Sequence, residues 1–311
     1  MEFVTIEAQA ERAVIAPEAG FQCRSYRVGT VEVVAGPNDP EADWKAHPFR
    51  SGIPILFPWP GRIADGRFSY RGGHEVKLPI NDATHNCAIH GLTYNRVFKV
   101  TRKGPYFVAA RLDSRIDAEL SALWPWPFVL DLDYEVGNGL RLHAAVENVG
   151  ADSMPFGLGA HPYFHAPLDP RGTRAAMQVQ GDIDKHWQLD TRLLPTAQAF
   201  EAPAGRFDVR SPVTLGKDHL DDAYTLASGR GERASRLIDP QMKMAVELRA
   251  APIFKHLVLF APPAPDVVAL EPYTCGPNAF NLASKGIDGG MLELAPGARF
   301  EASFEIRLSG L

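Results

Sequence analysis

The amino-acid sequence predicts an all-β fold, a large antiparallel β-sandwich of two packed sheets with few short helices. Apolar and polar residues alternate along much of the chain, which is typical of antiparallel strands with one buried face. The 27 glycines and 26 prolines favour many turns and would interrupt long helices. The clearest alternation, in residues 298–308, places five apolar side chains on one face: Phe300, Ala302, Phe304, Ile306 and Leu308.

The same pattern predicts further strands and the turns between them. Residues 68–78 predict a hairpin around Gly72 and Gly73, and residues 130–149 predict a second hairpin around the glycines of 137–139. Residues 242–249 alternate like the C-terminal strand, with four apolar side chains on one face: Met242, Met244, Val246 and Leu248.

Helix is predicted only where the alternation stops. The best helical segment runs from Ile116 to Leu123 and ends before Pro125. No linker or low-complexity segment divides the chain, and the strand pattern continues from the first fifty residues to the last ten. We therefore expect a single β-sandwich domain over residues 1–311.

Composition argues against several classes of function. The formal net charge is −5 and the basic residues are scattered, so we expect no nucleic-acid partner. Cys23, Cys87 and Cys275 form no CxxC pair, which argues against a disulfide framework and a structural zinc site. The chain has no signal-like N-terminus, membrane-length apolar run, phosphate-binding glycine loop or GxSxG elbow. We expect a cytoplasmic protein without a membrane span.

Glu271 is the first candidate for chemistry. It follows the apolar run 267–270 and precedes Pro272, at the end of a predicted buried strand. A carboxylate in such a place is costly unless it is hydrogen-bonded or used, and burial raises its pKa toward the range of a general base. The alternative is a glutamate at the rim of the fold, paired with an arginine.

His161 and His90 are candidates for a general acid. Each lies within two positions of a glycine, which allows another group to approach closely, and Pro162 favours an extended backbone at His161. The alternative for each is a core histidine bonded to a backbone carbonyl. The spacing of His85, Cys87 and His90 matches no common zinc pattern, so we predict no metal site.

Two further polar residues are candidates for ligand binding. Arg62 lies in a segment bounded by proline and glycine, where a guanidinium group could hold hydroxyls or an anion. The alternative is an ordinary surface arginine. Asp221 and Asp222 are adjacent, and neighbouring strand residues face opposite ways, so only one of them should reach a site.

Taken in order, these segments resemble the aldose 1-epimerase family, the galactose mutarotase-like proteins. The most specific of them, GAHPYF at 159–164, is similar to the His-Pro-Tyr-Phe signature of the family. The resemblance implies a supersandwich fold and interconversion of the α and β anomers of a free sugar, with no metal, nucleotide or redox cofactor. The other matching segments are FPWPGRIADGRF (57–68), NCAIHG (86–91), LDDAYTL (220–226) and LEPYTCGPNAFN (270–281).

The resemblance also implies a role for each candidate residue. Glu271 would take the proton of the anomeric hydroxyl while His161 protonates the ring oxygen, so that the ring opens and can close on its other face. His90 would position the ring oxygen or share the acid role, and Arg62 and Asp221 would bind sugar hydroxyls. We expect Glu271 and His161 to face each other across a sugar-sized gap.

Three positions depart from the family pattern and bear on which sugar is bound. Gly61 replaces a usual asparagine, which removes a hydroxyl contact. Leu92 replaces a common second glycine and should make that edge of the pocket bulkier, and His165 stands where asparagine is frequent.

Two other functions fit the same fold. A hexose-6-phosphate 1-epimerase would need extra cations to hold a dianion, for which Arg67 and Arg96 are candidates. A non-catalytic carbohydrate-binding protein would not need Glu, Arg, Asp and both histidines together. For each function the partner is a small sugar, and the chain is expected to be a monomer or a homodimer.

Overall fold

Backbone hydrogen bonds between antiparallel strands organise the chain in the computed structural model, which describes residues 1–37, 48–71, 74–229, 231–264 and 266–310. The all-β class predicted from the sequence is confirmed. No helix in these ranges is long and apolar enough to cross a membrane. Their helical elements are short: α1 (Ala118–Leu123), α2 (Ala279–Ala283) and the 3-10 turns Ser114–Ile116, Arg174–Ala176 and Gly205–Phe207.

The segment predicted to be helical forms α1. Asp117 caps the helix because its side chain accepts a hydrogen bond from the backbone N–H of Leu120 at 2.9 Å. The helix ends before Trp124, which is followed by Pro125. Ile116, the first residue of the predicted helix, belongs instead to the preceding 3-10 turn.

The C-terminal alternating segment lies in the middle of a nine-stranded antiparallel sheet. Ala302, Phe304 and Ile306 are buried there while Glu301 is exposed, as the alternation predicts. In spatial order the strands are β10 (Lys99–Lys103), β11 (Phe107–Asp113), β12 (Phe128–Glu135), β13 (Leu140–Asn148), β27 (Arg299–Gly310), β23 (Met244–Ala250), β22 (Arg233–Asp239), β17 (Gln178–Gly181) and β20 (Val213–Thr214).

A second large sheet has eight strands and carries the candidate site. Its strand β25 is buried at every position, which explains the continuous apolar run before Glu271. In spatial order the strands are β19 (Pro195–Glu201), β18 (Ile183–Leu189), β21 (Leu220–Leu226), β24 (His256–Ala261), β25 (Val267–Tyr273), β15 (Gly159–Ala160) and β5 (Ile55–Leu56), and β16 (Tyr163–His165) also pairs with β25.

Smaller sheets complete the fold. The predicted hairpin at 130–149 is β12 and β13, and the one at 68–78 is β7 and β8, although Gly72 and Gly73 themselves lie outside the described residues. The four-stranded sheet contains β1 (Val4–Ala8), β2 (Glu11–Ala16), β3 (Gln22–Val28) and β4 (Val31–Glu32). The strand pairs are β6 (Arg62–Ala64) with β9 (Cys87–Ile89), β7 (Arg67–Tyr70) with β8 (His74–Lys77), and β14 (Met154–Phe156) with β26 (Leu292–Leu294).

One hydrophobic core joins the two large sheets. Phe57, beside β5, contacts Phe128 on β12 with ring centroids 4.7 Å apart, and Phe254, beside β24, contacts Phe304 on β27 at 6.3 Å. Side chains from both sheets belong to the same buried cluster. Burial of this apolar surface is what holds the sheets face to face.

Core and surface positions should therefore differ sharply in their response to truncation. Leu132 on β12 is fully buried, whereas Ile116 is 85% exposed. We expect Leu132→Ala to lower the free energy of unfolding by about 2–5 kcal/mol, since it leaves a cavity, and Ile116→Ala to change it by less than about 0.5 kcal/mol. Urea denaturation of both variants measures this difference, and equal midpoints would contradict the assigned packing.

Candidate active site

The pairing of β25 with its neighbours places His161 opposite Glu271. The residue two before His161 pairs with Tyr273, and the residue two after it pairs with Ala269. Strands β15 and β16 are separated at Pro162, which has no N–H to donate to the sheet. The two predicted proton-transfer groups are therefore cross-strand neighbours, whose side chains lie within contact distance in an antiparallel pair.

Alternation extends this face across the sheet. Val258 on β24 pairs with Glu271, and Ala223 on β21 pairs with Val258. Positions two residues away share the same side, so Asp221 and Phe260 also belong to this face. One side of the eight-stranded sheet thus forms the floor of a pocket.

The pocket has a volume of about 360 Å³, within the usual size range of small-molecule sites. Residues from the β6–β9 pair and from loops form its walls, among them Phe49, Asp82 and Pro277. All five residues that the sequence singled out line it: Arg62, His90, His161, Asp221 and Glu271.

Glu271 is buried, with 1% of its surface exposed. Its Oε1 lies 3.2 Å from Nε2 of His161, and its Oε2 accepts a hydrogen bond from the Tyr273 hydroxyl. The alternative of a rim glutamate paired with an arginine is therefore wrong, and so is the expected sugar-sized gap between Glu271 and His161. Burial raises the pKa of Glu271 well above its ordinary value, although the hydrogen bond from Tyr273 opposes this shift.

His161 is held by Tyr163 as well as by Glu271. The two rings stack with centroids 4.3 Å apart, and the Tyr163 oxygen lies 3.3 Å from Nε2 of His161. The Tyr163 hydroxyl donates its hydrogen to the carbonyl of Phe49 at 2.8 Å, so its oxygen is left to accept from the imidazole. Burial lowers the pKa of His161 to about 3.

Glu271 and His161 are in contact, so the proton of one group affects the other. Burial raises the pKa of the carboxyl and lowers that of the imidazole, because each neutral form is favoured away from water. Both shifts favour the same arrangement, in which Glu271 carries the proton and His161 is neutral. A pair of this kind can give a proton to one atom while it takes a proton from another.

His90 stands beside His161 on the pocket wall. The rings are nearly perpendicular, at 87°, with centroids 5.4 Å apart. Burial lowers the pKa of His90 well below its ordinary value, and the neighbouring His161 adds to this. Both His90 and Gly91 have a left-handed backbone, with φ of 66° and 77°. A Cβ at Gly91 would lie 2.2 Å from the carbonyl oxygen of Phe57, so glycine is required there.

Both candidate histidines are buried, as the core alternative requires, but both also line the pocket. Among the described residues, Nδ1 of each ring is buried without a side-chain hydrogen-bond partner. Interaction of His161 with its own backbone raises its pKa, which opposes the effect of burial.

Arg62 is fixed in place by a carboxylate that the sequence did not single out. Its Nε donates to Oδ2 of Asp82 at 2.8 Å, and the same oxygen lies 2.8 Å from Nδ1 of His85. Burial alone would raise the pKa of Asp82, but the hydrogen bonds from Arg62 and His85 outweigh it and lower that pKa. Arg62 is therefore a held pocket residue and not an ordinary surface arginine.

Asp221 faces the pocket and Asp222 faces away, as their adjacency predicts. Asp222 instead contacts Nε2 of His186 at 3.3 Å. Burial raises the pKa of Asp221, and the charge of Arg62 opposes this. Asp221 is thus a carboxyl that can accept or donate hydrogen bonds to a polar ligand.

The three departures from the family pattern lie in different environments. Gly61 lines the pocket with φ of 65°, close to the ring of Tyr273. Leu92 is 5% exposed and packs in the core, so the expected bulkier pocket edge is wrong. His165 is not among the pocket residues.

The residues described contain no group of three or more His, Cys, Asp or Glu side chains arranged to hold a metal ion. His85, considered above with Cys87 and His90, contacts Asp82 instead.

The chain matches a known protein family over almost its whole length. The model of the family described as aldose 1-epimerase matches residues 2–307. The chain belongs to the aldose 1-epimerase family. The uncharacterized protein YihR of Escherichia coli K12 is 27% identical over 243 residues, which cover 77% of this chain and 74% of that protein.

Two further proteins are similar to this aldose 1-epimerase family chain. Human galactose mutarotase is 27% identical over 168 residues, which span 52% of this chain and 46% of the human protein. The crystal structure of a galactose mutarotase-like protein from Clostridium acetobutylicum superposes with a TM-score of 0.89 at 24% identity, and the match covers 99% of this chain and 95% of that one. At this identity the structural likeness establishes the fold.

Sequence reasoning missed three residues that hold the site together: Asp82, Tyr163 and Tyr273. Tyr163 and Tyr273 lie two positions after His161 and Glu271, so strand alternation could have placed each on the same face as its partner. Asp82 stands 20 residues from Arg62, and no local pattern marks it.

Histidines buried in the neutral form should weaken the fold in acid. Burial lowers the pKa of His256, which lies outside the pocket, from 6.5 to about 4. Between these values the unfolded chain binds a proton that the folded chain does not, so the free energy of unfolding falls as pH drops. We expect His256→Gln to reduce this loss by about 2 kcal/mol between pH ~7 and pH ~4.5. Urea denaturation at both pH values measures it, and an unchanged loss in the variant would contradict the burial of a neutral His256.

Proposed function

We propose that this chain is an aldose 1-epimerase that interconverts the α and β anomers of a free sugar. The observation that carries the proposal is the buried contact between Glu271 and His161 on the floor of a sugar-sized pocket. Membership of the family and similarity to human galactose mutarotase support the same reaction class.

The contact between Glu271 and His161 places two proton-transfer groups side by side, as ring opening requires. The hydroxyl oxygen and the ring oxygen of a cyclic sugar are bonded to the same anomeric carbon, so the groups that serve them must be close neighbours. Glu271 takes the proton from the anomeric hydroxyl while His161 gives a proton to the ring oxygen, and the bond between the anomeric carbon and the ring oxygen breaks. Rotation about the next carbon–carbon bond presents the other face of the aldehyde. The ring then closes as both transfers reverse.

Proton bookkeeping supports this use of a coupled pair. Ring opening starts with His161 protonated and Glu271 ionised, and it ends with the proton on Glu271 and a neutral His161. The pair holds one proton throughout, and the arrangement after ring opening is the one that burial favours. Proton transfer by positioned groups contributes about 10²–10⁴-fold to the rate.

The remaining pocket residues fit the binding of hydroxyl groups. Asp82 accepts the Nε–H of Arg62, which fixes the guanidinium while its terminal N–H groups can donate to sugar oxygens. Asp221 can accept from neighbouring hydroxyls. His90, packed against His161, is placed to contact the ring oxygen or to share the acid role.

The two arginines considered for phosphate binding lie away from the pocket, which favours a neutral sugar, whereas Arg50 and Arg62 line it. Arg96 pairs with Asp117 and Glu119, Arg67 pairs with Glu75, and neither arginine lines the pocket. A non-catalytic sugar-binding protein would gain nothing from a buried proton-sharing pair, because removing such groups from water costs free energy.

Polarimetry of freshly dissolved α-anomers tests the proposed function. We expect the protein to accelerate the approach to anomeric equilibrium of neutral aldoses, and to act less on their 6-phosphates. Saturation-transfer NMR on the same sugars measures binding separately. Binding without acceleration for any sugar would contradict the enzymatic proposal, and a preference for the phosphates would favour the hexose-6-phosphate epimerase.

Removal of either proton-transfer group should nearly abolish activity. We expect Glu271→Gln and His161→Ala each to lower the rate about 10²–10⁴-fold, since each removes a proton carrier. Polarimetry measures the rate, and circular dichroism checks the fold. Asp222→Asn is the control, because it changes a carboxylate that faces away from the pocket, and it should retain near wild-type activity. Full activity in either test variant would exclude that residue from the reaction.

The dependence of rate on pH should be bell-shaped. Activity requires the Glu271–His161 pair with one proton, so the rate falls in acid when the pair gains a second proton and in base when it loses the first. Initial rates corrected for the buffer-catalysed reaction measure this profile. A flat profile from acid to base would rule out the pair.

A further inference from the structure

Tyr273 is the third member of the buried group around Glu271. It lies two residues further along β25 on the same face, and 1% of its surface is exposed. Its hydroxyl donates to Oε2 of Glu271, while Oε1 contacts His161. The two oxygens of the carboxylate therefore have different partners.

Two glycines flank the Tyr273 ring. A Cβ at Gly159 would lie 2.6 Å from Cδ1 of Tyr273, a separation that real Cβ atoms do not tolerate. On the other edge, a Cβ at Gly61 would lie 3.6 Å from Cε2. The ring thus packs tightly against Gly159, and its other edge lies beside Gly61, where the family usually carries asparagine.

The groups around Glu271 have opposing effects on its pKa. Burial and the carboxyl of Asp221 on β21 raise the pKa of Glu271, whereas Tyr273 and the charge of Arg62 on β6 lower it. His161 faces Oε1 from the neighbouring strand, and behind it lie Tyr163 and His90.

The Tyr273 hydroxyl acts as a fixed donor. Burial and the adjacent Glu271 raise the pKa of Tyr273 well above its ordinary value, so the phenol keeps its proton at neutral pH.

Building on the proposed function, we propose that Tyr273 is a positioning residue that favours the carboxylate form of Glu271 and directs Oε1 toward His161 and the sugar. The hydrogen bond from the Tyr273 hydroxyl to Oε2 is stronger when Glu271 is ionised, since hydrogen bonds to charged groups are stronger than those to neutral ones. The hydrogen bond thereby opposes the effect of burial on Glu271. Tyr273 in this way helps Glu271 to act as the base when sugar binds.

NMR titration of the sugar-free protein tests the proposal without relying on activity. The carboxyl carbon of Glu271 is followed in wild type and in Tyr273→Phe, with Glu271→Gln to assign its signal. We expect the titration midpoint in Tyr273→Phe to move upward by about one pH unit or more, since a donor to a charged group is lost. Tyr224→Phe is the control, because Tyr224 is equally buried but does not line the pocket, and it should leave the midpoint unchanged.

Kinetics then separate positioning from a general structural role. We expect the acid limb of the rate profile of Tyr273→Phe to move upward with the NMR midpoint, with activity partly recovered at higher pH and KM changed less than about threefold. An unchanged midpoint, or a uniform loss of rate at every pH, overturns the proposal. If the wild type accelerates no sugar, the proposed function fails, whereas the NMR midpoint still decides whether Tyr273 favours the carboxylate.

Discussion

The pairing of β25 with the interrupted strand formed by β15 and β16 is the constraint on which the site depends. It puts His161 directly opposite Glu271. The strand is interrupted at Pro162, which has no N–H to donate, so backbone pairing is irregular beside His161. A shift of one residue in this register would send one side chain to the other face of the sheet. The chemistry therefore depends on the same hydrogen bonds that hold the sheet together, and the core between the two sheets protects them.

Burial gives this pair its properties and also makes it costly. Away from water, both groups favour their neutral forms, and the pKa values of Glu271 and His161 move in opposite directions. Neighbouring groups limit the cost: Tyr273 donates to the carboxylate, Tyr163 accepts from the imidazole, and Arg62 contributes a positive charge that Asp82 holds in place. Each of these partners offsets part of the cost of burying a polar group.

The fold class and the five pocket residues could be predicted from the sequence because both follow local rules. Alternation in residues 298–308 identified a strand with one buried face, and the spacing around His161 and Glu271 matched a known pattern. The register between strands could not be predicted, since it depends on partners far apart in the chain, and so the contact between Glu271 and His161 was mistaken for a gap. The contact between Asp82 and Arg62 could not be predicted either, because the two residues are 20 positions apart in the chain. The expected position of Leu92 was wrong because His90 and Gly91 both have a left-handed backbone, so strand alternation does not apply there.

The contact between Glu271 and His161 has a consequence for water. In the proposed reaction the pair ends each cycle with the proton it had at the start, and the sugar regains its own. Such a site needs no chain of water molecules or side chains to carry protons to and from the solvent. It can stay enclosed for a whole turnover, which a catalyst that must discharge a proton to bulk water cannot do.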